Sequence, residues 1–135
     1  MRQWDERSLR NLQGIHPDLR RVMDRALQEA PFAFIVTEGL RTPARQRELV
    51  RIGASKTLNS RHITGHAVDL VPFVDIDKDG RVETEEMYSW PLYHKLAPVI
   101  KAAAAKEGVD IVWGGDWKSF RDGPHFELNR RKYPA

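Results

Sequence analysis

Apolar residues recur at helical spacing along Leu19, Val22, Met23, Ala26 and Leu27, and Pro17 suits the first turn of the helix they predict. Pro31 ends that helix, and the apolar run at 32–36 reads as a buried strand. Thr42 is an N-cap candidate with Pro43 at the first helical position, opening a second helix that Gly53 closes. A polar loop follows over 54–61, then a second strand over 67–73 that ends where an acidic loop begins at Asp75. A long helical region is expected up to Lys106, interrupted or kinked at Pro91 and Pro98 and stopped by Gly108. Ile111–Trp113 and His125–Leu128 read as the last strands. Helices mixed with short strands, without a regular βαβ rhythm, predict an α+β fold. No repeat or low-complexity linker divides residues 1–135, so a single domain is expected.

Composition narrows the class only a little. With 135 residues, 41% hydrophobic and 30% charged, the chain is ordinary for one globular domain. No apolar run reaches the roughly 18 residues of a membrane span. The segment Met1-Arg2-Gln3-Trp4-Asp5-Glu6 lacks the apolar core of a signal peptide. Synthesis in a cytoplasm is therefore expected, with any target beyond the membrane reached by another route. The absence of cysteine excludes disulfides and thiolate metal sites, so a bound metal must use N and O ligands. A net charge of +3 suits nucleic acid or an anionic cell envelope. No clustered basic and aromatic surface is visible, which argues against nucleic acid.

The chemistry concentrates in two stretches, Ser60-Arg61-His62-Ile63-Thr64-Gly65-His66-Ala67-Val68-Asp69 and Asp122-Gly123-Pro124-His125. They offer His, Asp and His as metal ligands, plus a spare carboxylate three residues before the last. Catalytic zinc sites need such a set: three protein ligands, an open position for water, and a carboxylate to take that water's proton. His62 and His66 stand four apart, as in helical zinc proteases. That motif requires Glu after the first His, and Ile63, Thr64 and Gly65 follow here instead. His62 with Asp69, carried by a loop and the strand it enters, is the better pair. A lone His near an Asp is more often structural, but His125 and Asp122 strengthen the ligand reading.

Ser60, His62, Gly65, Ala67 and Asp69 match the S-x-H-x-x-G-x-A-x-D motif of the M15 metallopeptidases, and Asp122 with His125 matches that family's second motif. Glu38-Gly39-Leu40-Arg41-Thr42 with Gln46 resembles its G-x-R-T…Q segment. Gly14-Ile15-His16-Pro17-Asp18-Leu19 and Trp113-Gly114-Gly115-Asp116-Trp117 resemble its phage endolysin branch, which cleaves L-alanyl-D-glutamate. The resemblance runs from about Leu12 to Leu128. It implies a small antiparallel sheet flanked by helices, of the Hedgehog/D-Ala-D-Ala-peptidase kind. It also implies one catalytic Zn2+ held by His62, Asp69 and His125, with Asp122 as proton acceptor. Arg41 would polarise the scissile carbonyl or hold the oxyanion; without the resemblance a salt bridge would be the simpler reading. Ser60 and Gln46 would touch substrate or support the ligands. Trp113, Asp116 and Trp117 would wall the cleft, although buried tryptophans are equally common in cores. His16, His66 and His94 are expected to cap, pack or lie exposed.

The acidic loop is a separate signal. Residues 75–86 satisfy the EF-hand calcium pattern at all twelve positions. Oxygens would come from Asp75, Asp77, Asp79, the Arg81 carbonyl, Glu83 and a bidentate Glu86, with Gly80 at the sharp turn. Six acids against Lys78 and Arg81 give the loop a local charge of −4, a cluster that repels itself without a cation. A solvated acidic turn is the simpler alternative. A strand precedes Asp75 where an EF-hand would have a helix. Calcium is expected to order this loop and steady the strand carrying Asp69.

Function is accordingly expected to be zinc-dependent hydrolysis of peptidoglycan stem peptides at L-alanyl-D-glutamate. The protein would be a monomer that reaches the wall through a holin or other membrane lesion. A D,D-carboxypeptidase or D-Ala-D-Ala dipeptidase is the alternative enzyme. An inactive wall- or calcium-binding module is the alternative from another class.

Overall fold

The computed structural model describes residues 1–134. In chain order the elements are α1 (Glu6–Leu12), α2 (Pro17–Glu29), β1 (Phe34–Glu38), α3 (Pro43–Arg51), β2 (Ala67–Pro72), α4 (Thr84–Met87), α5 (Trp90–Glu107), β3 (Ile111–Trp113) and β4 (His125–Leu128). A short 3-10 turn over Gly114–Asp116 links β3 to the segment before β4. Every pairing in the four-stranded sheet is antiparallel, in the order β1-β2-β4-β3. The expected α+β class with a small antiparallel sheet and flanking helices is what forms.

Alternation along β2 and β4 divides the sheet's two faces. Val68, Leu70, Phe126 and Leu128 point to one face and join the core with Leu19, Val22 and Met23 of α2 and Leu96 and Ile100 of α5. Burying a side chain the size of Phe126 contributes about 1.5–3 kcal/mol. The intervening residues Asp69, His125 and Glu127 necessarily face the other way. Asp69 and His125 are Cα partners across β2 and β4, so they stand side by side on that face.

Three elements depart from the sequence expectation. Helix α1 was not foreseen, because its buried residues are only Ser8 and Leu12 while Leu9 is exposed. It covers edge strand β1 through polar contacts: Ser8 Oγ accepts from the Val36 amide at 2.9 Å, and Asn11 Nδ2 donates to the Val36 carbonyl at 2.9 Å. Strand β1 is displaced two residues toward the C-terminus relative to 32–36 and reaches Glu38. The long helical region begins only at Trp90, with Pro91 in its first turn, and runs through Pro98 without a break. Gly108 stops it in a left-handed conformation, φ 70°. Among the described residues no helix is long and apolar enough to cross a membrane.

Candidate active site

The polar face of the sheet forms the floor of a cleft of about 500 Å³. His62 comes from the turn before β2, Asp69 from β2 and His125 from the start of β4. Their ligand-type atoms all lie within 4.8 Å of one another. His62 Nε2 is 3.2 Å and His125 Nδ1 is 3.3 Å from the same Asp69 oxygen, Oδ1. His66, despite its spacing from His62, bonds back to Thr64 and is not in this cluster.

Each imidazole is oriented by a partner on its far nitrogen. His62 Nδ1 lies 2.9 Å from the carbonyl of Gly39, and His125 Nε2 lies 2.9 Å from Glu127 Oε1. Protons on those two nitrogens leave Nε2 of His62 and Nδ1 of His125 as lone-pair donors facing Asp69. Two imidazoles and one carboxylate, so presented, fit a divalent cation that takes N and O ligands. A β-carbon on Gly39 would collide with the Asn11 carbonyl, so only glycine lets α1 and this carbonyl approach so closely.

Electrostatics follow from burial and pairing. Burial opposes charge on His125, yet the hydrogen bonds it donates to Asp69 and Glu127 outweigh this and push its pKa up to about 9. Burial also opposes ionisation of Asp69, and the two histidines overcome it, holding its carboxyl well below the usual range. Asp122 lines the same cleft, and there burial, reinforced by the negative charge of Asp69, raises its pKa. The Asp122 amide donates to the Gly114 carbonyl at 3.0 Å, and a β-carbon on Gly114 would strike the Asp122 backbone. The Trp-Gly-Gly turn therefore anchors the segment carrying Asp122.

Strand β1 contributes a third wall. Its register slips between Val36 and Glu38, so Glu38 rather than Thr37 stands opposite Asp69. This irregularity turns Glu38 into the cleft, where it accepts from Arg41 Nε at 2.7 Å and Nη2 at 2.8 Å. Arg41 Nη1 donates to Gln46 Oε1 at 2.7 Å, and Nη2 is 3.6 Å from Asp69 Oδ2. Ser60 Oγ accepts from the His62 amide at 3.2 Å and lines the cleft. Gln46 is fully buried beneath it.

Trp117 lines the cleft, its ring centroid 5.0 Å from that of His125. Trp113 and Asp116 are not brought there. Trp113 stacks on Phe126 in the core and donates to the Gly123 carbonyl at 2.8 Å, while Asp116 is exposed and paired with Lys101 at 2.6 Å. His16 caps α2 by accepting from the Asp18 amide at 3.0 Å, and His94 packs its ring against Trp90 and Trp113. Glu38 and Glu127 were not singled out by sequence reasoning. The i, i+2 spacing of His125 and Glu127 on one strand face was the available signal for the second.

The acidic loop is compact. Glu86 reaches back from α4, its Oε2 accepting from the Ile76 amide and, at 3.2 Å, from the Asp77 amide. Oxygens of Asp75, Asp77 and Glu86 lie within 4.8 Å of one another, as do those of Asp77, Asp79 and Glu83. Gly80 takes φ 90°, which the tight turn requires. A hydrogen bond with Asp79 and the surrounding acids push the Glu83 pKa up to about 7. Tyr93 links α4 to the cleft: its hydroxyl donates to the Met87 carbonyl at 2.8 Å, and its ring packs on Gly123.

The fold is of the D-Ala-D-Ala-peptidase-like class, and its cleft carries a candidate metal-binding cluster. The D,D-dipeptidase VanXYg superposes with a TM-score of 0.53 at 14% identity, covering 84% of this chain and 50% of that one, a likeness of fold alone. A family model described as phage L-alanyl-D-glutamate peptidase matches residues 2–132, and the chain belongs to that family, a branch of the M15 metallopeptidases. It is 27% identical to the L-alanyl-D-glutamate peptidase of Escherichia phage T5 over 93% of this chain and 88% of that protein. The Serratia marcescens L-Ala D-Glu endopeptidase ChiX superposes with a TM-score of 0.85 at 48% identity, covering 96% of this chain and 92% of that one.

Proposed function

We propose that this chain is a zinc-dependent endopeptidase that hydrolyses the L-alanyl-D-glutamate bond of peptidoglycan stem peptides. The observation that carries the reading is the convergence of His62, Asp69 and His125 in one cleft with Asp122. Family membership and the ChiX likeness support the choice of bond. A zinc ion held by the three ligands would supply Lewis-acid polarisation and make its water more acidic.

The chain's own groups do the rest. Asp122, its carboxyl raised by burial, takes the proton of the attacking water and delivers it to the leaving amine. Arg41, locked by Glu38 and Gln46, presents a fixed cation beside Asp69 for the developing oxyanion. Gln46 acts by positioning Arg41, and Ser60 by holding the His62 turn and offering a hydroxyl to substrate. Trp117 walls the cleft. Trp113 and Asp116 have no substrate contact in this reading.

Calcium at residues 75–86 belongs to the same proposal, within a single monomeric domain. The converging oxygens and the −4 charge support it. Ordering of the loop would reach the cleft by two routes, along β2 to Asp69 and through Met87 and Tyr93 to the Asp122 segment. Activity would then be low in a calcium-poor cytoplasm and rise at the wall, which the protein reaches through a holin or other membrane lesion. Muropeptide digestion with product identification tests the bond assignment, since the endopeptidase alone frees the whole stem from L-alanine.

A further inference from the structure

The cleft is lined by four cations, Arg41, Lys56, Arg61 and Arg130. Three of them already face acids. Arg41 is bidentate with Glu38, while Arg61 and Arg130 lie 3.7 Å and 3.5 Å from Glu127 Oε2. Among the described residues no carboxylate pairs with Lys56. Its Nζ rests instead 3.6 Å from the centroid of the Phe120 ring. That contact spans the mouth of the cleft, from the loop after α3 to the segment that carries Asp122.

Neither end of the span is casual. The buried Gln46 amide donates to Ser55 Oγ at 2.9 Å and to the Thr57 carbonyl at 2.5 Å, gripping the residues on both sides of Lys56. Through the bond from Arg41 to Gln46, the base of Lys56 is fixed relative to the Asp69 side of the cleft. Phe120 takes φ 54°, a left-handed conformation that a bulky residue adopts only at a cost. The strained backbone sets the ring beneath the ammonium. A cation–π contact at an exposed site is weak, so an anion entering the cleft readily recruits the ammonium.

An L-alanyl-D-glutamate bond places a carboxyl group on the carbon that bears the scissile nitrogen. When the chain continues through the glutamate side chain, that α-carboxylate is free and anionic. We propose that Lys56, poised on Phe120, binds the α-carboxylate of the substrate's D-glutamate and makes the enzyme selective for the free acid over its amide. This inference rests on the endopeptidase reading. An ammonium donates to a carboxylate in a bond between two opposite charges, whereas an amide presents it only a neutral carbonyl acceptor.

Steady-state hydrolysis of two synthetic stem peptides, one with D-glutamate and one with its α-amide, tests the assignment. The wild-type protein is expected to favour the acid about tenfold in kcat/KM. Lys56→Gln is expected to raise KM for the acid by about the same factor and bring the acid-to-amide ratio near one, with Lys56→Arg restoring the preference. A Lys56→Gln protein that keeps the wild-type ratio, or a wild type with no preference, would overturn the role of Lys56. A wild type that cuts neither peptide would instead overturn the endopeptidase reading.

Discussion

Glu127 accepts a hydrogen bond from His125 across 2.9 Å, two residues along the same strand and on the same face. The carboxylate is buried with the imidazole it orients, and Arg61 stands behind it at 3.7 Å. Burial works against its charge, and the bond to His125 overcomes this and lowers its pKa. Glu127, His125 and Asp69 thus form one chain of contacts.

Glu127→Gln keeps the shape and an acceptor oxygen but removes the charge that makes His125 a better donor. Zinc affinity should fall about tenfold or more, read by competition with a chromophoric chelator. Unchanged affinity would deny Glu127 this role.

The pKa of about 9 at His125 gives a pH signature for metal binding. The ring must be neutral to ligate, so below that value each ion bound displaces a proton. Apparent zinc affinity should therefore rise about tenfold per pH unit between about pH 7 and 8.5, then level off. Calorimetry in buffers of different ionisation enthalpy should register about one proton released per ion at neutral pH. A flat pH dependence over that interval would contradict the assignment of His125 as a ligand.

Asp122 lies outside the His62–Asp69–His125 cluster proposed to hold zinc, so Asp122→Asn should retain the metal while kcat falls by about 10²–10⁴. Metal analysis and initial rates on the same preparation separate the two effects. Wild-type turnover by that variant would remove Asp122 from proton transfer.

Tyr93→Phe deletes the hydroxyl that joins α4 to the ring packed on Gly123. The ratio of rates with calcium to rates with EGTA, at fixed zinc, should be smaller in this variant than in the wild type. Equal ratios would leave β2 as the route; no calcium response in either protein would sink the regulatory idea.

The site was legible where chemistry is written in residue type and spacing. His62 and Asp69 come from one stretch and Asp122 and His125 from another more than fifty residues on, yet each sits at a motif position and all line one cleft. Strand alternation explains why Asp69 and His125 could be anticipated on one face. Glu38 could not be placed in this way, because its approach to Asp69 depends on a register slip that local pattern does not encode. Trp113 and Asp116 share a motif with Trp117, but the Gly114–Asp116 turn sends Trp117 to the cleft, Trp113 to the core and Asp116 to solvent. Helix α1 escaped because it docks by the hydroxyl of Ser8 and the amide of Asn11, not by an apolar stripe.

The most direct test digests purified muropeptides and identifies the products by mass spectrometry, with and without a zinc chelator. Stem peptides beginning at D-glutamate are the expected products, their release abolished by the chelator and restored by added zinc. Release of terminal D-alanine alone, or cleavage at L-alanyl-D-glutamate that survives complete removal of zinc, would contradict the zinc-endopeptidase reading.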